Sequence, residues 1–240
     1  MKNRDLIKIS IIIPCFNEKD TIIKIINKII LSLKIHNFKS YEIIIVDDGS
    51  SDGTKEIIKE NFSIKNNFKV FFHAKNLGKG AAIKTAKKNS SGDIIIIQDA
   101  DLEYDPHDYD KLLKPIIDGN FKVVYGSRVL NRERYKISGF NSKVRIFGNH
   151  FLTIISNLLN RQNLTDAHTC YKVFHKDLFD LITLEENDFA FCPEVTSKIS
   201  NLGFKIHEVP ISYNGRSYKE GKKIKTTDAL KALKTLIKYR

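Results

Sequence analysis

This 240-residue sequence predicts an α/β fold: a mostly parallel sheet flanked by helices, with an amphipathic helix at the C-terminus. Three observations carry that expectation. Short isoleucine-rich runs alternate with helix-periodic stretches through the first half, the pattern of βαβ crossovers. The run Ile94-Ile95-Ile96-Ile97 is apolar at every position, as a strand buried on both faces of a parallel sheet should be. Polar, turn-forming clusters follow each apolar run, and open α/β sheets bind ligands beyond the carboxyl ends of their strands.

Taken in order, residues 8–13 read as a strand closed by Pro14, with Asn17 as cap of the next helix and Asp20 in its first turn. Ile22, Ile25, Ile26, Ile29 and Leu33 give that helix its apolar stripe. Residues 41–46 form a second strand, ending in Asp47-Asp48-Gly49-Ser50-Ser51-Asp52-Gly53-Thr54, and a helix follows to Asn61. A third strand over 68–73 leads into Lys75-Asn76-Leu77-Gly78-Lys79-Gly80 and a helix through Lys88. Residues 93–98 are the fourth strand. Pro106 opens a helix to Asp118, and residues 122–125 form a fifth strand ending in Gly126-Ser127-Arg128. Beyond a polar loop over 131–139, residues 144–159 read as an amphipathic helix with Phe147, Phe151, Leu152, Ile155 and Leu158 on its apolar side. Then come the apolar pair Val173-Phe174, helices over 177–184 and 193–202, a strand over 205–209, a basic tail over 214–225 and a last helix over 227–240. No repeat or low-complexity linker interrupts the chain, so one domain over 1–240 is expected.

Composition narrows the function classes. A net charge of +12 and a pI near 9.4 suit an anionic partner: a nucleotide, a membrane surface or a nucleic acid. The lysines are spread over every segment while carboxylates gather at the strand ends, which argues against nucleic acid. Cys15, Cys170 and Cys192 are odd in number and widely spaced, unlike a disulfide framework or a zinc site, so a reducing, cytoplasmic setting is expected. The first eight residues lack a signal-peptide core, and no stretch reaches the roughly 18 apolar residues of a membrane span.

The carboxylates Asp99, Asp101 and Glu103 stand at alternate positions after the four isoleucines. In extended backbone they would share one face. That arrangement calls for a cation, and a divalent metal holding a phosphorylated ligand is the reading preferred over a solvated acidic turn. Lys79 between two glycines suits a phosphate neighbour, although the context is not that of a Walker loop.

Together, Pro14-Cys15-Phe16-Asn17-Glu18, Asp47-Asp48-Gly49-Ser50, Gly78-Lys79-Gly80 and Asp99-Ala100-Asp101 resemble the family 2 glycosyltransferases of GT-A fold. The likeness is greatest to the dolichyl- and polyprenyl-phosphate glycosyltransferases and continues through Tyr125-Gly126-Ser127-Arg128, residues 166–172, Glu208-Val209-Pro210-Ile211 and Asn214-Gly215-Arg216. It implies a metal-dependent, inverting transfer of glucose or mannose from UDP-glucose or GDP-mannose to a lipid phosphate. Residues 1–126 would bind the nucleotide sugar and residues 127–240 the acceptor.

By this resemblance Mg²⁺ or Mn²⁺ bridges the donor diphosphate to Asp101, with Asp99 and Glu103 beside it; some relatives carry glutamine where Glu103 stands. Asp47 or Asp48 would take the base or ribose. Pro14, Phe16 and Glu18 would form the other wall, with Lys79, Asp99 and Ala100 also at the nucleotide; core packing is the alternative for Phe16. Arg128, Arg216, Lys222 and Lys223 would hold the acceptor phosphate, with a solvated basic face as the alternative for the two lysines. Asp99, Asp101, Arg128 and Arg216 form the expected catalytic group. A saccharide acceptor, as in polysaccharide synthesis, would instead need a carboxylate base, for which Asp166 and Glu194 are candidates. His168 and Cys170 are read as structural. The two amphipathic segments fit a peripheral position on the cytoplasmic face of a membrane.

Overall fold

Each isoleucine run is a strand, and each is covered on both sides. The computed structural model describes residues 6–131, 140–215 and 226–240. Strands β1 (Ile9–Cys15), β2 (Tyr41–Asp47), β3 (Phe68–Phe72) and β4 (Ile94–Ile97) lie parallel, joined through helices α1 (Ile22–Ile35), α2 (Thr54–Phe62) and α3 (Lys79–Lys88). A 3₁₀ turn (Pro106–Asp108) and α4 (Tyr109–Ile117) lead to β5 (Val123–Ser127). The second half adds α5 (Phe140–Asn160), β6 (Lys172–His175), α6 (Lys176–Leu181), α7 (Phe191–Asn201), β7 (His207–Pro210) and α8 (Thr226–Lys238). One seven-stranded sheet results, in the order β3-β2-β1-β4-β6-β5-β7. Only β6 runs against its neighbours, wedged antiparallel between β4 and β5.

Alternation along a strand explains why the runs are uniformly apolar. Ile94 and Ile96 pack with α1 and α4 on one face, whereas Ile95 and Ile97 pack with α3, α6 and α7 on the other. Asp47, Ile97 and Ser127 therefore finish on one rim, where the turns that follow them meet.

Local differences from the sequence expectation have physical causes. Helix α1 starts at Ile22 with Thr21 as its cap residue, so Asn17 does not cap it and Asp20 lies outside its first turn. Asn17 instead adopts φ 51° and bridges to the loop after β2: its N–H donates to Ser50 Oγ, and its Oδ1 accepts the Ser51 N–H. Short polar side chains tolerate that left-handed backbone. Helix α6 ends at Leu181, before the expected Leu184.

The glycines around Lys79 serve packing. A Cβ on Gly80 would meet the Glu186 carbonyl oxygen at 2.4 Å, and one on Gly78 would meet that of Asn187 at 2.3 Å. The loop before α7 thus presses against the start of α3, where the Ala81 N–H donates to the Asn187 carbonyl. Gly80→Ala is expected to destabilise the protein by about 1–3 kcal/mol through overpacking, read as a lowered thermal midpoint.

Candidate active site at the strand ends

The adjacent carboxylates ending β2 have different work. Asp48 is consumed by the fold: its oxygens accept the N–H groups of Leu77 (3.0 Å) and Gly78 (2.7 Å), and Oδ1 also contacts His73 Nδ1 at 2.6 Å. It fixes the turn leading to Lys79. Asp47 is fully buried, and while Oδ2 takes the Ser50 N–H, its Oδ1 has no hydrogen-bond partner. A buried carboxylate oxygen left unpaired is costly unless a ligand completes it. Between the two, Asp47 has the chemistry to meet a nucleoside.

Residues after β4 do not continue as extended chain. Leu102 takes φ 43° and turns the chain between Asp101 and Glu103, so the two do not follow each other along extended backbone. Asp99 is ion-paired with Lys79. Glu103 is buried and accepts the Tyr213 hydroxyl at 2.6 Å. Asp101 is half-buried and receives the Glu103 N–H on Oδ1. Among the described residues no group of three His, Cys, Asp or Glu side chains could hold a metal ion.

Behind this loop lies a tyrosine layer that sequence reading missed. Buried Gln98 accepts the hydroxyls of Tyr109 (3.0 Å) and Tyr171 (2.6 Å) on Oε1 and donates from Nε2 to the Asp99 carbonyl. Tyr104 accepts the Cys170 N–H, and its ring packs on Tyr171 and Tyr213. Burial drives these phenols well above their usual range, so they act as neutral donors and packing surfaces. The tyrosines come from four separate segments, and no spacing rule joins them.

Arg128, at the end of β5, is bound by Asp166. Its Nε and Nη2 donate to the two carboxylate oxygens at 2.6 and 2.8 Å, and its N–H adds a third bond. Asn149 of α5 also donates to Asp166. Burial raises the Asp166 carboxyl, and the adjacent guanidinium overcomes that to hold it down at about 2. Asp166 therefore stays ionised as the anchor of Arg128, and its low value makes it a weak base near neutral pH. Glu208 of β7 positions the same turn by accepting the N–H groups of Thr165 and Asp166. The other candidate base, Glu194, is fully buried and takes the N–H groups of Glu185 and Glu186 together with Lys198.

The remaining expected site residues divide. Pro14 and Phe16 are half-buried at the end of β1, and Phe16 belongs to neither core cluster. Ala100 is in the core. Glu18 is buried and accepts the Thr21 hydroxyl at the entry to α1. Arg216, Lys222 and Lys223 lie outside the described residues. Lys172, unremarked in the sequence beyond its motif, is fully buried with its ammonium 3.7 Å from the Tyr125 ring centroid.

His168 carries a pH dependence. Burial, with the Lys172 charge adding to it, pushes its imidazole from 6.5 down to about 4, and its Nε2 is buried without a partner. The folded value lies below the unfolded one, so this contribution is whole above pH 6.5 and is lost as pH falls through 4. Stability should drop by up to about 3 kcal/mol across that window, and His168→Phe should flatten the drop in urea unfolding.

Comparison with known proteins follows the same lines. A sequence model described as glycosyl transferase family 2 matches residues 10–182. The chain is 29% identical over 240 residues to a dolichyl-phosphate beta-glucosyltransferase of Trichomonas vaginalis, covering 96% of this chain and 72% of that protein. It is 33% identical over 220 residues to the UDP-N-acetylglucosamine–dolichyl-phosphate N-acetylglucosaminyltransferase of Methanococcus voltae, covering 85% and 84%. Among solved structures, glucosyl-3-phosphoglycerate synthase from Mycobacterium tuberculosis, in complex with Mn²⁺, UDP and glucosyl-3-phosphoglycerate, superposes with a TM-score of 0.69. That likeness covers 98% of this chain and 80% of that one at 17% identity, and it speaks to the fold.

Proposed function

Starting from the fact that this chain belongs to glycosyl transferase family 2 and is a glycosyltransferase of GT-A fold, we propose that it moves glucose or mannose from a nucleotide sugar to a polyprenyl or dolichyl phosphate with inversion. One observation carries the acceptor class. On α5, Phe147, Phe151, Ile154 and Leu158 follow helical spacing and are 64%, 54%, 52% and 79% exposed. The opposite side of the same helix supplies Asn149 to Asp166, and Asp166 holds Arg128. An apolar face able to enter a lipid surface is thus built onto the element that braces a cation suited to phosphate. The two curated relatives are both named for transfer to dolichyl phosphate.

Within this reading Asp47 accepts donors from the base or ribose, beside Pro14 and Phe16. The donor set suits Mg²⁺ or Mn²⁺: Asp101, with Asp99 next to it, offers hard carboxylate oxygens. A cation of this type takes one or two carboxylates and completes its shell on substrate phosphates, so a cage of three side chains is not required. When bound, it neutralises charge on the departing diphosphate. Lys79 and the Gln98 amide fix Asp99, while Asp48 and Glu103 fix the loops on either side. Arg128, with Arg216, Lys222 and Lys223 further along the chain, holds the acceptor. The acceptor phosphate oxygen attacks the anomeric carbon as the bond to the nucleoside diphosphate breaks. An anionic nucleophile needs no proton removed, which agrees with the commitment of Asp166 and Glu194 to structural bonds. The protein would work at the cytoplasmic face of a membrane; among the described residues no helix is long and apolar enough to cross one.

The test is incubation with UDP-glucose or GDP-mannose, Mn²⁺, and undecaprenyl or dolichyl phosphate, followed by extraction of the lipid. A hexosyl lipid phosphate is the expected product. Transfer to a saccharide and none to the lipid would overturn the acceptor assignment.

A further inference from the structure

Lys172 is a fully buried cation that the transfer reaction leaves unassigned. It opens β6 directly across from Tyr125 of β5, and cross-strand neighbours share a face, which sets the ammonium over the phenol ring. The Tyr125 hydroxyl meets Thr196 Oγ1 of α7 at 3.1 Å and fixes the ring from its other end. Among the described residues the ammonium pairs with no carboxylate; its hydrogen bond goes to the Ala167 carbonyl at 3.1 Å, five residues back along the chain. Stripping an ammonium of water without a counter-ion is costly, and an apolar side chain of similar volume would serve packing as well or better.

What the ammonium holds is the turn that carries Asp166. Both peptides of Ala167 are fixed: its N–H donates to Thr153 Oγ1 of α5 at 3.3 Å, and its carbonyl takes Lys172. The Asp166 N–H donates to Glu208, and the Asp166 carboxylate takes the Arg128 guanidinium together with the Arg128 N–H. The Thr153 hydroxyl in turn donates to the carbonyl of Asn149, whose amide donates to Asp166. Lys172 thus ties the far end of the 166–172 loop back to its beginning.

We propose that Lys172 is a positioning residue for the acceptor phosphate: by holding the Ala167 carbonyl it sets the Asp166 carboxylate, and through it Arg128, in the place that meets the phosphate. The acceptor half of this inference rests on the proposed function, whereas the placing of Arg128 does not.

The test is Lys172→Met in the full chain, which keeps the bulk of the side chain and removes the donor. Amide hydrogen exchange at Arg128, Asp166 and Ala167 should quicken about 10-fold, while the amides of β1 keep parent rates. The thermal midpoint should not fall, because a buried charge has been exchanged for an apolar chain of similar volume. At saturating donor, kcat/KM for undecaprenyl phosphate should drop about 100-fold with the donor KM unchanged. Unchanged exchange at the turn would overturn the positioning role. Faster exchange throughout the sheet with a lowered midpoint, the mark of a packing residue, would overturn it as well. A parent-like kcat/KM, or donor and acceptor KM rising together, would overturn the link to the acceptor. Should Lys172→Met fail to fold, Thr153→Val removes the other support of Ala167 and takes its place for the exchange and kinetic readouts. A parent that transfers no sugar to a lipid phosphate would count against the proposed function, and the exchange result would still decide the placing of Arg128.

Discussion

Asp101→Asn is expected to lower sugar transfer by about 10³-fold or more while leaving the thermal midpoint near that of the parent. The carboxamide keeps the shape of the side chain and an oxygen for the Glu103 N–H, so the bent loop can persist. What it loses is charge. Asp99 on the same loop is ion-paired with Lys79 and Glu103 accepts the Tyr213 hydroxyl; in the proposed function Asp101 is the carboxylate whose charge the diphosphate-bound cation would draw on. Single-turnover transfer measured over a Mn²⁺ titration checks this. Full activity recovered at saturating Mn²⁺ would sink the assignment.

The second large effect concerns Arg128 and Asp166. Asp166→Ala strands a guanidinium whose side chain is only 19% exposed, a change expected to cost about 3–5 kcal/mol. In a chain of this size that lowers the midpoint by roughly 10 °C. Replacing both residues with leucine should recover much of the stability but none of the acceptor binding, which separates scaffolding from function. Acid provides an independent check. The carboxyl lies at about 2 in the folded protein against 3.8 for the free side chain, so its contribution is present above pH 3.8 and is lost as pH falls through about 2. The magnitude is about 2 kcal/mol, and it should vanish from the acid limb of the Asp166→Ala melt.

The architecture was legible because its cause is local. Runs such as Ile94–Ile97 can satisfy every side chain only between two covered faces, and the turns after them had to share a rim. Partnership was not legible. That Asp48, rather than Asp47, would be spent on the Leu77 and Gly78 amides depends on how β2 and β3 sit side by side. Alternate spacing would align Asp99, Asp101 and Glu103 only in extended chain, and one left-handed residue, Leu102, turns the chain between Asp101 and Glu103. Gly78 and Gly80 looked like room for a phosphate but make room for the loop at Glu186–Asn187. The motif residues 166–172 were noticed as a likeness, yet their physical job, anchoring Arg128 and carrying Tyr171 to Gln98, required the fold.

The reversed strand β6 has a consequence for how the protein can be made. Strands β4 and β5 are near in sequence but do not touch; the seat between them is filled by a segment the ribosome delivers only at residues 172–175. Until then the four isoleucines of β4 have β1 on one side and an open row of backbone donors and acceptors on the other, the kind of edge that recruits a second chain. A fragment ending near residue 126 should therefore self-associate rather than fold as a nucleotide-binding module. Synthesis slowed just before residue 172 should raise the aggregated fraction of the full-length chain for the same reason.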